Sequence, residues 1–64
     1  MVRINGELLS VSGQTIAQYL SNTAYKSKFI AVERNGEIVP KTLYEVTILE
    51  DEDCIEIVNF VGGG

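Results

Sequence analysis

The chain has 64 residues, a formal net charge of −4, no His, no Trp and one Cys. At that length it makes one domain with a small core and no room for an enclosed substrate cavity, and the missing His removes His-based triads, His-ligated metals and zinc-finger spacings. Nine acidic residues against five basic ones, with no basic stripe, disfavour nucleic acid and favour a partner with a basic docking surface.

A hydrophobic content of 45% with 22% charged residues is that of a folded globular protein. No apolar run reaches membrane-spanning length, and Met1-Val2-Arg3-Ile4-Asn5-Gly6 enters an alternating pattern without a signal-peptide apolar region. The lone cysteine agrees with a cytoplasmic protein, since a small secreted chain usually carries disulfides. A self-contained enzyme is therefore not expected, nor is a bound metal.

From the N-terminus, Val2, Ile4, Leu8 and Val11 put apolar residues on one side of two short segments. Asn5-Gly6 between them suits the positive φ angles of a type I′ turn, so a β-hairpin opens the chain. Thr15-Ile16-Ala17-Gln18 has the spacing of a capping box, and Ile16, Tyr19 and Leu20 follow at i, i+3 and i+4, which predicts a helix lying on a sheet and ending near Asn22-Thr23. Tyr25-Lys26-Ser27-Lys28 reads as a loop. Phe29-Ile30-Ala31-Val32-Glu33-Arg34 is a β-rich run, Asn35-Gly36 a second hairpin turn, and Glu37-Ile38-Val39 its return strand, stopped by Pro40.

Lys41-Thr42-Leu43-Tyr44-Glu45 suits one helical turn that tucks Leu43 or Tyr44 under the sheet, and residues 46–49 a short edge segment. Glu50-Asp51-Glu52-Asp53 marks a solvated acidic turn before the last strand, Cys54-Ile55-Glu56-Ile57-Val58-Asn59-Phe60. Alternation sends Ile55 and Ile57 to the core and Cys54, Glu56, Val58 and Phe60 to the opposite face. Cys54, without an apparent basic neighbour, reads as a small strand residue. Tyr19 and Tyr44 read as amphipathic residues at the edge of the core. The order of elements describes an α+β protein with a β-grasp fold, a mixed sheet carrying one main helix on one face. A right-handed crossover is expected to bring the next long strand back beside the first one, in parallel.

The chain ends in Phe60-Val61-Gly62-Gly63-Gly64. Three glycines have no side chains to pack; extended, they reach roughly 10 Å through a passage too narrow for a Cβ. The α-carboxyl, with an ordinary pKa near about 3.5, is ionised at neutral pH and suited to attack the α-phosphorus of ATP inside another protein's active site. Taken alone, the same glycines fit a fraying chain end better.

The stretches Ile4-Asn5-Gly6-Glu7, Gly13-Gln14-Thr15-Ile16 with Leu20, Val32 with Asn35-Gly36-Glu37-Ile38-Val39-Pro40, Asp51 and Asp53 with Ile55-Glu56-Ile57-Val58, and the terminal Gly63-Gly64 decide between these readings. Across essentially its whole length the chain resembles the ThiS-type sulfur carriers of thiamine biosynthesis, in the ThiS/MoaD family of the ubiquitin-like β-grasp group. The Asn-Gly-Glu-Ile-Val-Pro stretch and the Gly-Gly end are the specific parts. The resemblance implies a β-grasp domain over 1–61 and a glycine tail over 62–64. It implies an E1-like adenylyltransferase (ThiF-type) that brings its own ATP and Mg²⁺ and activates the Gly64 carboxylate, a sulfur donor enzyme, and a thiazole synthase (ThiG-type) that accepts the sulfur. The carrier is then a co-substrate that binds no cofactor and is a monomer when free, with Gly64 as the site of adenylation and thiocarboxylate formation.

On the same resemblance, Gly63 is the narrow approach and Gly62 a spacer, and Val58, Phe60 and Val61 dock on the partner. Docking competes with the ordinary occurrence of scattered surface hydrophobes. Many members have Gly between the two acids where this chain has Glu52, so a different turn is expected there. A carrier for molybdopterin synthesis, a ubiquitin-like modifier joined to lysines through Gly64, and a β-grasp interaction module stand as alternatives.

Overall fold

The computed structural model describes residues 1–60. Strands β1 (Val2–Ile4) and β2 (Glu7–Leu9) form the first hairpin, helix α1 (Ile16–Ser21) follows, and β3 (Ile30–Arg34), β4 (Glu37–Val39) and β5 (Cys54–Asn59) complete a single five-stranded sheet in the order β2-β1-β5-β3-β4. Single 3-10 turns occupy Ser27–Phe29 and Lys41–Leu43. This is the ubiquitin-like β-grasp arrangement anticipated above. The crossover differs from the expectation in one respect: the strand parallel to β1 is the last one, β5, while β3 runs antiparallel to β5 on its other side. The second hairpin thus packs outboard of β5, and β5, the longest of the described strands, lies between the two hairpins.

Both Asn-Gly pairs make the turns their composition demands. Asn5 and Gly6 have φ of 51° and 86°, and Asn35 and Gly36 have 51° and 87°, the paired positive values of a type I′ turn. Their registers set which side chains face inward. In the first hairpin Val2 lies opposite Leu9 and Arg3 opposite Leu8. Leu8 is therefore exposed on the outer face, and Leu9, with Val11, packs against the core instead. The expectation for Leu8 fails because a two-residue loop pairs it with an outward-facing strand position.

The helix is short, and its end groups are fully accounted for. Thr15 Oγ1 accepts from the Gln18 N–H and Gln18 Oε1 accepts from the Thr15 N–H, completing the predicted capping box. The Ile16 and Ala17 N–H groups donate to the carbonyls of Thr47 and Tyr44, at 3.0 and 2.9 Å. The connection between β4 and β5 therefore serves as the helix's N-terminal partner. The same connection places Tyr44 and Leu49 in the core beside Ile16 and Leu20, against Val2, Ile4, Val32, Ile55 and Ile57 of the sheet. Of residues 46–49, only Ile48 bridges, to Thr15.

The side chains of the two turn asparagines finish the ladder of β5. Asn5 N–H donates to the Ile55 carbonyl at 2.9 Å, and where the turn carries the next backbone acceptor away, Asn5 Oδ1 takes its place and accepts the Ile57 N–H at 2.7 Å. On the other edge Asn35 N–H donates to the Cys54 carbonyl at 2.8 Å, and Asn35 Oδ1 accepts the Cys54 N–H at 2.9 Å. Asn5 Nδ2 also reaches the Ile57 carbonyl and the Tyr25 hydroxyl, both at 3.3 Å.

Asn5→Gly keeps the turn's positive φ and removes only the side-chain clamp. We expect a loss of about 1–2 kcal/mol, the range for leaving a part-buried donor unpaired, measured by urea unfolding. Amide exchange at Ile57 should accelerate more than at its neighbours.

Candidate functional site

The helix covers one face of the sheet, and the other face is open. Alternation and register place four rows of side chains there. Cys54 lies beside Arg3 and then Leu8; Glu56 lies opposite Glu33, which lies opposite Ile38; Val58 lies opposite Ala31. The same antiparallel register brings Phe60 beside Phe29, and the Phe60 N–H donates to the Phe29 carbonyl at 2.8 Å, extending the ladder one residue past β5. Val58, Phe60 and Phe29 are 57, 49 and 41% exposed, so three large apolar side chains sit together at the C-terminal end of the central strand.

Phe60 is held from both sides. Its backbone hangs on Phe29, and the Lys41 ammonium, which donates to the Ile30 carbonyl at 2.8 Å, lies 5.7 Å from the Phe60 ring centroid in cation–π contact. Lys28 stands similarly over Phe29, at 5.3 Å. The two predicted docking residues Val58 and Phe60 are thus brought together on the open face. Val61, Gly62, Gly63 and Gly64 lie outside the described residues, and with them the proposed reactive carboxylate and the boundary between domain and tail.

The turn before β5 differs from the solvated acidic turn expected. Asp53 is 6% exposed. Its carboxylate accepts from the Glu50 N–H at 2.9 Å, Asn35 Nδ2 at 3.1 Å and Arg34 Nε at 3.0 Å. Burial pushes the carboxyl's pKa up, but the Glu50 N–H, the Asn35 amide and the Arg34 guanidinium outweigh it and hold the pKa below the ordinary value. Asp51 accepts from the Met1 ammonium and the Ser12 hydroxyl, which lower its pKa. Glu52 keeps the turn by adopting φ 72°, the left-handed conformation that glycine enters without a Cβ penalty.

Among the described residues, no group of three or more His, Cys, Asp or Glu is placed to hold a metal. A hollow of about 530 Å³ opens to solvent between α1 and residues 41–45 and is lined by Leu20, Tyr25 and Tyr44, with Lys41 and Glu45 the charged residues among its described lining. Cys54 is exposed on the open face and does have a basic neighbour, Arg3, as its partner across β1 and β5. No helix among the described residues is long and apolar enough to cross a membrane.

Comparison with known proteins places this fold in a family. The model of the ThiS family matches residues 2–64, glycine tail included. The chain belongs to the ThiS family. It is 41% identical to the sulfur carrier protein ThiS of Bacillus subtilis (strain 168) over 66 aligned positions, covering all of both chains. It is also 45% identical over 62 positions to a thiazole synthase of Paramagnetospirillum magneticum, covering 95% of this chain and 19% of the synthase. Among solved structures, the thiamine biosynthesis protein ThiS from Geobacter metallireducens superimposes with a TM-score of 0.78 at 25% identity, covering 98% of this chain and 97% of that one.

Within this ThiS-family fold the sequence reading missed Phe29, Ala31, Glu33 and the buried role of Asp53. The signal for the first three was the pairing register, in which Phe60 and Val58 need partners on β3. Nothing in Glu50-Asp51-Glu52-Asp53 itself singles out Asp53.

The lowered folded-state pKa of Asp53 has a definite sign in the pH dependence. Its contribution is present at pH above the unfolded carboxyl value of about 4 and is lost as pH falls through the folded value. Asp53→Asn should therefore cost about 2–3 kcal/mol at pH 7, and the gap from the unsubstituted protein should narrow as unfolding is measured at successively lower pH below about 4.

Proposed function

We propose that the protein is a sulfur carrier for thiazole formation in thiamine biosynthesis and acts as a co-substrate, with the carboxylate of Gly64 as its reactive group. The observation that carries this reading is the family match running through the terminal glycines. The domain over 1–61 presents the tail over 62–64, and the open face around Val58 and Phe60, continued by Val61, docks on the enzymes that use it.

An E1-like adenylyltransferase holds ATP and Mg²⁺. The Gly64 carboxylate oxygen attacks the α-phosphorus, pyrophosphate leaves, and an acyl-adenylate forms. A sulfur nucleophile derived from cysteine through a donor enzyme then adds to the acyl carbon and expels AMP, leaving a thiocarboxylate. The thiazole synthase takes up that sulfur, a pairing supported by the synthases whose own chains contain a segment similar to this one. Gly62 and Gly63 lack the Cβ atoms that would obstruct a narrow channel. The acidic surface suits a basic partner and neither nucleic acid nor an anionic membrane surface. The free protein is a cytoplasmic monomer without a bound cofactor.

Incubation with the adenylyltransferase, ATP and a sulfur source, followed by intact-mass measurement, should show one oxygen replaced by sulfur. A chain extended by one trimming-resistant residue after Gly64 should lose this modification by at least about 10²-fold, as expected when a reacting group is displaced from its aligned position. Ladders of heavier conjugates would identify a protein modifier instead. An unchanged mass, in a mixture that modifies a known carrier, would identify an interaction module.

A further inference from the structure

Three acidic residues of the turn before β5 find cations within the molecule: Asp51 pairs with the Met1 ammonium, and Glu50 and Asp53 pair with Arg34. Of the acidic residues that join no ion pair among the described residues, Glu33 and Glu56 alone are register partners of each other in the sheet. They stand directly opposite each other across β3 and β5, on the open face. Like charges at directly opposed positions destabilise a sheet. The cation placed closest by register, Arg3, lies one row away beside Cys54 and donates to the Gly6 carbonyl at 3.2 Å. The domain thus keeps an uncompensated pair of carboxylates at the centre of the face it leaves uncovered.

The surroundings of the pair restrict what can satisfy it. Along the strands in one direction lie Ala31 and Val58 and then Phe29 and Phe60, an apolar strip leading to the tail. Across β3 from Glu33, Ile38 is 62% exposed. A small hydrated cation would gain nothing from these apolar neighbours. An arginine fits both features: its guanidinium fork spans two carboxylates, and its methylene stem lies along apolar surface.

We propose that Glu33 and Glu56 together form a receptor for an arginine of the partner protein, whose apolar surface beside that arginine covers Val58, Phe29 and Phe60. The proposal rests on the sulfur-carrier reading and takes the thiazole synthase as the partner. The pair sets how the partner is oriented on the sheet, and the apolar strip next to it leads the tail toward the partner's active site. In the free protein the two charges oppose each other; in the complex the shared guanidinium bridges them and offsets one of the two negative charges.

The experiment compares the full chain with Glu33→Gln and Glu56→Gln, singly and together, for thermal unfolding and for binding to purified thiazole synthase from the same organism at low and high salt. The substitutions relieve repulsion, so Tm should rise by about 1–5 °C, while affinity for the synthase falls at least about tenfold and loses much of its salt dependence. A gain in stability together with a loss of binding is the signature, and damage to the fold would not produce it. If the unsubstituted chain binds the synthase and the variants bind equally well, the arginine receptor is overturned and the carrier reading stands. If the unsubstituted chain shows no binding to the synthase, both fall. If the unsubstituted chain sediments as a dimer that the variants break, a second copy covers the face and the proposal is overturned.

Discussion

The fold depends on a hydrogen-bonding demand made by β5. A strand in the middle of a sheet must satisfy donors and acceptors along both edges, and here its neighbours turn away within its span, β1 at Asn5 beside Ile57 and β3 at Asn35 beside Cys54. The Asn5 and Asn35 side chains supply the acceptors that those turns remove. An Asn-Gly turn is usually explained by backbone geometry alone. In this chain each asparagine tolerates a positive φ and also replaces a missing main-chain carbonyl, so turn chemistry and strand pairing are secured by the same residue.

Placing β5 centrally divides the protein into a structural side and a presenting side. Ile55 and Ile57 enter the core under α1, and alternate residues of the same strand emerge on a face that no element of the described chain covers. Asp53, immediately before the strand, is bound by groups from β3, the second turn and the acidic loop, which fixes where β5 starts. The Phe60 amide, on the Phe29 carbonyl and with Lys41 over its ring, holds the other end of the described ladder. The strand is therefore pinned at each end by polar contacts and along its length by apolar burial. On the sulfur-carrier proposal, this scaffold is what holds the tail toward the partner enzymes.

Much of this was legible in the sequence because the signals were local. The two Asn-Gly dipeptides, the Thr15 to Gln18 capping box and the alternation through Ile55 and Ile57 each name an element and a face, and the structure contains all of them. Information set by pairing between distant segments was not legible. Whether Leu8 or Leu9 faces inward depends on the loop's register, and whether β3 or β5 lies against β1 depends on pairing between opposite ends of the described chain. The acidic run shows the same limit, since four similar carboxylate-bearing residues differ only in which cation the folded chain brings to each. Only Asp53 meets Arg34 and Asn35 at once, from residues almost twenty positions away.

The central strand is also the last one to leave the ribosome. Until it arrives, the two hairpins made earlier share no neighbour, and the β1–β5 and β3–β5 ladders that unite them cannot begin. Completion of the sheet and display of the open face are consequently one event. On the proposed function, a partner that grips that face meets the assembled sheet and not a chain still lacking β5.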